Sequence, residues 1–185
     1  MGNPKEVAVK RGKNKEDVKW DPPPQGWIKV TVDGSFLQEH ERGTTGAVIR
    51  DHLGKIIVDA GNTIPRCNSV EEAEAFALLE GAKLAKEWTN GLVIFESDCI
   101  QVVNAVHQGR ESLSNLRSIL SDFVVEASCC QQWICIHVKR GENVVAHECD
   151  AYVQQVGGRY VWDLLFPERV TKAYALDSNR ILSVD

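Results

Sequence analysis

Residues Trp27–Ser35 (WIKVTVDGS) alternate strictly, with Ile28, Val30 and Val32 on one face and Lys29 and Thr31 on the other. Alternation of this length predicts a half-buried β-strand. The strand runs into Asp33-Gly34, which sets a carboxylate where a fold can present charge to a cleft, although Asp-Gly taken alone fits an ordinary turn. Gly43–Arg50 and Lys55–Ala60 read as two further strands across the tight turn Asp51–Gly54, so the three form an antiparallel meander.

A long helix follows. Ser69 with Glu72 three residues on has the spacing of a capping box, and Asn68 is a competing N-cap. Apolar or small residues then recur at Val70, Ala73, Ala77, Gly81, Leu84, Ala85 and Trp88, one face of a helix. Glu74 projects into the middle of that stripe, where a carboxylate is costly unless something pairs with it. The continuous apolar run Leu92–Phe95 is the mark of a central strand covered on both sides, and it ends in Glu96-Ser97-Asp98. Cys99–His107 and Ser112–Ala127 read as helices, Trp133–Val138 as a fifth strand, and Asn143–Val156 as a last helix closed by Gly157-Gly158. The order βββ-α-β-α-α-β-α predicts an α/β fold, a mixed five-stranded sheet with helices on both faces. Trp27 and Trp88 are expected in the core.

The 185 residues suffice for one domain and a tail. Residues 1–20 are polar and lysine-rich and are expected to be a disordered basic tail, with residues 21–26 (DPPPQG) a stiff Pro-rich linker and a natural junction with an upstream domain or a protein partner. The domain proper is expected over residues 27–158. Residues 159–185 form an extension whose first part packs through Trp162, Leu164, Leu165 and Phe166. The tail holds six Lys/Arg against three acids, +3, so the overall −5 leaves −8 on the rest. An acidic body argues against strong autonomous binding of nucleic acid. No uninterrupted apolar run is long enough to cross a bilayer, and the N-terminus fits neither a secretory signal nor a myristoylation pattern. The six cysteines show no CxxC pairing and read as reduced core residues, which implies a cytoplasmic or nuclear setting.

Asp33 and Asp98 end two strands that this topology sets side by side, and Glu74 points inward from the intervening helix. Three converging acids repel unless cations neutralise them, as divalent metals with oxygen ligands do. Each residue also has a plain reading: an ion-paired Glu74, Asp98 as a helix N-cap, His147 as a solvent-facing histidine.

The ordered motifs VDGS, AEAFALLEG, FESD and HVKRGENVVAHECD, spread over about Trp20–Gly157, resemble the type-1 ribonuclease H domain, and most closely its plant reverse-transcriptase-like branch, in which a PPP-GW-K-x-x-VDG opening is typical. The resemblance implies a ribonuclease-H-like fold and a D-E-D-D set of carboxylates holding two magnesium ions, with manganese as an alternative, that hydrolyses RNA paired with DNA. Asp33, Glu74 and Asp98 match the first three acids. Of the R-x-x-N-x-x-A-D pattern, Arg140, Asn143 and Ala146 match, but His147 stands at the aspartate. The resemblance thus implies Asp33, Glu74, Asp98 and His147 as catalytic and metal-binding residues, and Gly34, Ser35, Arg140 and Asn143 as substrate-binding ones. A neutral imidazole adds no negative charge and suits magnesium less well than a carboxylate does; whether Asp150, one turn further on, substitutes is left open. Val70 and Glu71 stand where bacterial relatives place an asparagine pair that touches the hybrid, and Gly109-Arg110 leaves no room for a basic protrusion. The expectation is a metal-dependent endonuclease for RNA/DNA hybrids, weakened at His147. The alternative is an impaired module that binds nucleic acid or protein.

Overall fold

A computed structural model describes residues 19–108 and 115–181. The Lys-rich tail up to residue 18, the Gly109-Arg110 junction and the start of the helix expected from Ser112 lie outside the described residues.

Three strands come first: β1 (Trp27–Leu37), β2 (Arg42–Arg50) and β3 (Ile56–Ile64). They pair antiparallel as the expected meander. Helix α1 (Val70–Trp88) leads to β4 (Leu92–Ser97), which pairs parallel with β1, and after α2 (Ile100–Gln108) and α3 (Arg117–Ala127) the strand β5 (Gln132–His137) pairs parallel with β4. Helix α4 (Val144–Val156) is followed by β6 (Arg159–Trp162) and α5 (Glu168–Ile181). The sheet order is β5-β4-β1-β2-β3-β6.

The sheet therefore has six strands, not five. The extra strand comes from the extension after Gly158, where Tyr160 and Trp162 pair with β3 and join Tyr152 of α4 in an aromatic group. Its alternation was too short to register as a strand in the sequence. Leu164 and Leu165, expected to pack, are exposed, while Trp162 and Phe166 do pack, against the core under α4 and α5.

The two faces follow the period-2 alternation of β1. Val30 and Val32 face α1 and α3 in the larger core, with Leu78, Phe95, Phe123 and Trp133; the last three make edge-to-face pairs with ring centroids 5.2–6.3 Å apart. The opposite face carries Val48, Val145, Cys149 and Val170 beneath α4 and α5. Two glycines let helix backbones lie against strands. A Cβ on Gly34 would sit 2.5 Å from the Ala73 carbonyl of α1, and one on Gly46 would sit 2.3 Å from the Ala146 oxygen of α4.

Several sequence expectations change. Trp20, assigned to the disordered tail, is 2% exposed. Its Nε1 donates to Glu96 Oε2 at 2.8 Å, and the Arg50 guanidinium lies 3.4 Å from its ring centroid. Arg50 also meets Asp177 of α5 at 3.1 Å, and Lys29 meets Glu96 at 2.7 Å. An aromatic face desolvated against a cation accounts for the burial of Trp20. Trp88 and Val70, both placed on the buried stripe of α1, are 40% and 53% exposed, because they stand in the last and first turns, beyond the strands that the middle of the helix covers. The capping box is shifted: Ser69 Oγ accepts from the Glu72 N–H at 3.1 Å, but Glu72 reaches past it to the Asn68 N–H at 2.8 Å. Ser69→Ala is expected to cost about 1 kcal/mol, read by urea unfolding.

Candidate active site

β1 does not end at Asp33, as the sequence suggested, but runs on to Leu37. The last parallel pair of β1 and β4 is Val32 with Ser97, so Asp33 and Asp98 are the next residues along two adjacent strands. Gly34 brings the backbone of α1 onto β1 at Ala73 and Glu74, which delivers the third acid. One carboxylate oxygen from each of Asp33, Glu74 and Asp98 lies within 4.8 Å of the others. Asp33 and Glu74 are buried and Asp98 is half-buried.

No lysine or arginine pairs with Glu74 among the described residues. Its hydrogen bond comes from Ser97 Oγ, at 3.4 Å. Burial, and then the charges of Asp33, Asp98 and Asp150, push the Glu74 carboxyl up to about 9. Asp98 is raised too, by burial and then by Asp33, with Arg140 and Asn143 opposing. The hydrogen bond at the start of α2 comes from Ser97, whose Oγ accepts the Cys99 N–H at 3.0 Å. An ion-paired Glu74 is thus absent among the described residues. What remains is an all-oxygen set under mutual repulsion, which fits a hard divalent cation.

His147 meets the cluster through Asp33. Its Nδ1 lies 2.9 Å from Asp33 Oδ2, and a carboxylate only accepts, so Nδ1 carries the proton and Nε2 is the free nitrogen of the neutral ring. That hydrogen bond, outweighing burial, raises the imidazole above its usual range. The buried Asn143, which begins α4, donates from Nδ2 to Asp33 Oδ1 at 3.0 Å. Both oxygens of Asp33 are therefore held from α4. Arg140, exposed in the single helical turn before α4, is close enough to Asp98 and His147 to shift both.

Two of the residues that the resemblance sets against substrate, Gly34 and the half-buried Ser35, make contacts within the fold. Gly34 is buried against α1, and Ser35 Oγ donates to Asp150 Oδ2. Sequence reasoning missed Ser97, which sits between the two acids of FESD, and it had no means to see that Asp150 is buried.

The model of the reverse transcriptase-like family matches residues 31–152. No protein of curated function matches the sequence. Among solved structures, RNase H1 from the halophilic archaeon Halobacterium salinarum is 19% identical with a TM-score of 0.66, over 71% of this chain and all of that one. The N-terminal RNase H domain of rv2228c from Mycobacterium tuberculosis is 17% identical with a TM-score of 0.64, over 71% of this chain and 96% of that one. LC11-RNase H1, solved in complex with RNA/DNA hybrid, is 15% identical with a TM-score of 0.62, over 70% of this chain and 98% of that one. At these identities the likeness carries the fold, which is that of ribonuclease H, and the family match carries membership: the chain belongs to the reverse transcriptase-like family.

Proposed function

We propose that this chain is a divalent-metal-dependent endonuclease that hydrolyses the RNA strand of RNA/DNA hybrids, at a rate reduced by His147. The observation that carries the reading is the convergence of Asp33, Glu74 and Asp98 within 4.8 Å, in an environment that pushes Glu74 up to about 9. The hybrid bound by LC11-RNase H1, which has the same fold, supports the substrate class. Magnesium or manganese ions held by these three acids would activate a water and neutralise the departing oxygen.

The residues around them have separable tasks. Asn143 fixes the Asp33 carboxylate by its Oδ1. Arg140, exposed beside Asp98, offers a phosphate a cation at the site within a net-acidic body. His147 works against the site in two ways: it adds no negative charge, and its N–H takes up Asp33 Oδ2. His147→Asp is therefore expected to raise cleavage in magnesium about tenfold, about 1.4 kcal/mol of barrier, and to narrow the preference for manganese, which accepts imidazole more readily.

The deciding experiment is cleavage of a labelled hybrid in magnesium and in manganese. Cleavage that Asp98→Asn abolishes supports the enzyme. A chain that cleaves with neither metal, before or after His147→Asp, is instead a ribonuclease-H-like interaction module. The observation favouring that second reading is that both oxygens of Asp33 are satisfied from within the fold.

A further inference from the structure

We propose that Asp150 supplies the fourth negative charge of the acid cluster, acting from one helical turn beyond His147 by its field and through water rather than as a direct ligand. The inference rests on the metal-dependent reading above.

Asp150 is 1% exposed on α4. Its Oδ2 accepts the Ser35 hydroxyl, two residues along β1 from Asp33. Its Oδ1 is buried and makes no hydrogen bond of good geometry among the described residues, but the buried Thr44 hydroxyl of β2 lies near enough to favour the charged carboxylate. A buried carboxylate is expensive even with the Ser35 and Thr44 hydroxyls beside it, and the seating of α4 does not need its charge: Gly46 already admits the helix backbone at Ala146 and Asp150, and Val145, Ala146, Cys149 and Val153 supply the apolar contacts. Asp150 is near enough to the cluster for its charge to act on Glu74, and for Asp33 and His147 to act on it. It is not among the residues whose ligand atoms converge, which excludes direct coordination in this arrangement and leaves field and bridging water. A divalent ion held by Asp33, Glu74 and Asp98 would itself attract a nearby carboxylate where the bare acids repel it, and in a partly desolvated site such attraction acts beyond contact distance.

The test is calorimetric titration of the full chain with Mn²⁺ alone, with thermal unfolding of each variant in the absence of metal. Asp150→Asn keeps an oxygen for the Ser35 hydroxyl, removes the charge and puts an amide nitrogen where Oδ1 stands. It is expected to weaken Mn²⁺ binding about tenfold, while its metal-free melting temperature sets the relief of repulsion against the cost of that buried amide. Asp150→Glu, which keeps the charge and alters the shape, is expected to bind within a few-fold of the parent. Affinity unchanged in Asp150→Asn overturns the proposal, and so does an equal loss of affinity in Asp150→Asn and Asp150→Glu, since shape and not charge then decides. If Asp150→Asn does not fold, Asp150→Glu decides: parental affinity supports the charge, and a tenfold loss in a folded protein overturns it. Asp98→Asn separates the two readings. If the parent binds Mn²⁺ and Asp98→Asn does not, the three-acid site stands whatever Asp150 does; if the parent binds none, both fall.

Discussion

Asp98→Asn is expected to lower hybrid cleavage about a thousandfold or more, about 4 kcal/mol of barrier, with no recovery when the manganese concentration is raised. The substitution keeps the size and the exposure of a half-buried side chain and removes one of three charges that a divalent ion must find together. Glu74→Gln is expected to give the same loss with a telling difference in stability. Glu74 is buried among like charges, with a hydroxyl and, among the described residues, no cation beside it, so removing its charge should leave the metal-free fold as stable or more so, while the rise in melting temperature expected for the parent with Mn²⁺, by mass action, should disappear. Activity and stability moving in opposite directions is the signature of a site kept under strain for function. A Glu74→Gln protein that unfolds several degrees lower without metal, in a parent that Mn²⁺ does not stabilise, would make these acids structural.

The meander, the parallel entry of β4 and the position of Glu74 were legible because each follows from a period. Alternation in β1 fixes which residues face α1, and a 3.6-residue period puts Glu74 with Ala73 and Ala77 in the buried part of α1. Periodicity assigns a face and says nothing of how far the opposing layer extends, which is why Val70 and Trp88, on the right stripe, emerge into solvent at the helix ends. Trp20 shows the opposite failure. A lone aromatic at the edge of a lysine-rich, proline-flanked stretch carries no local signal; its place depends on Arg50, Glu96 and Asp177 from three distant elements.

The site divides along the same line. The three acids are marked by strand ends and by an acid on an apolar stripe. The links that tie α4 to them (Asn143 and His147 to Asp33, Ser35 to Asp150) join residues more than a hundred positions apart. His147 could be recognised as a departure from the family motif, but its bond to Asp33 could not be inferred from its projection, which pointed to solvent. Helix α4 reaches the cluster because Gly46 lets it lie low across β2; a glycine in a strand reads in sequence only as a weak spot.

The same close seating of α4 buries a second acid away from the cluster, and its effect on stability is large. Asp59 on β3 is fully buried, and the thiol of Cys149 donates to its Oδ1 at 3.1 Å and reaches the Ala60 carbonyl at 3.0 Å. Burial pushes the Asp59 carboxyl up to about 7, only partly offset by that thiol. The thiol, itself raised well above its usual range by burial and by Asp59, stays neutral and so offers no counter-charge. In the unfolded chain Asp59 ionises near 3.8. Below that pH both states hold the proton and Asp59 adds no pH dependence. Between 3.8 and about 7 the folded state keeps a proton that the unfolded state has released, so stability falls as pH rises, by about 1.4 kcal/mol per pH unit and about 4 kcal/mol in all. Above about 7 the penalty is complete and the curve is flat. Asp59→Asn removes this contribution, so the difference in unfolding free energy between variant and parent, measured by urea denaturation without metal, should grow in the variant's favour from pH 4 to pH 7 and then level off. The amide nitrogen it introduces, where Oδ2 now lacks a partner among the described residues, adds a cost of about 1–3 kcal/mol that does not vary with pH, so the slope carries the test and the offset does not. Parallel curves for parent and variant between pH 4 and pH 7 would mean that Asp59 ionises normally in the fold, and that α4 sits less tightly on β3 than the Cys149 contact requires.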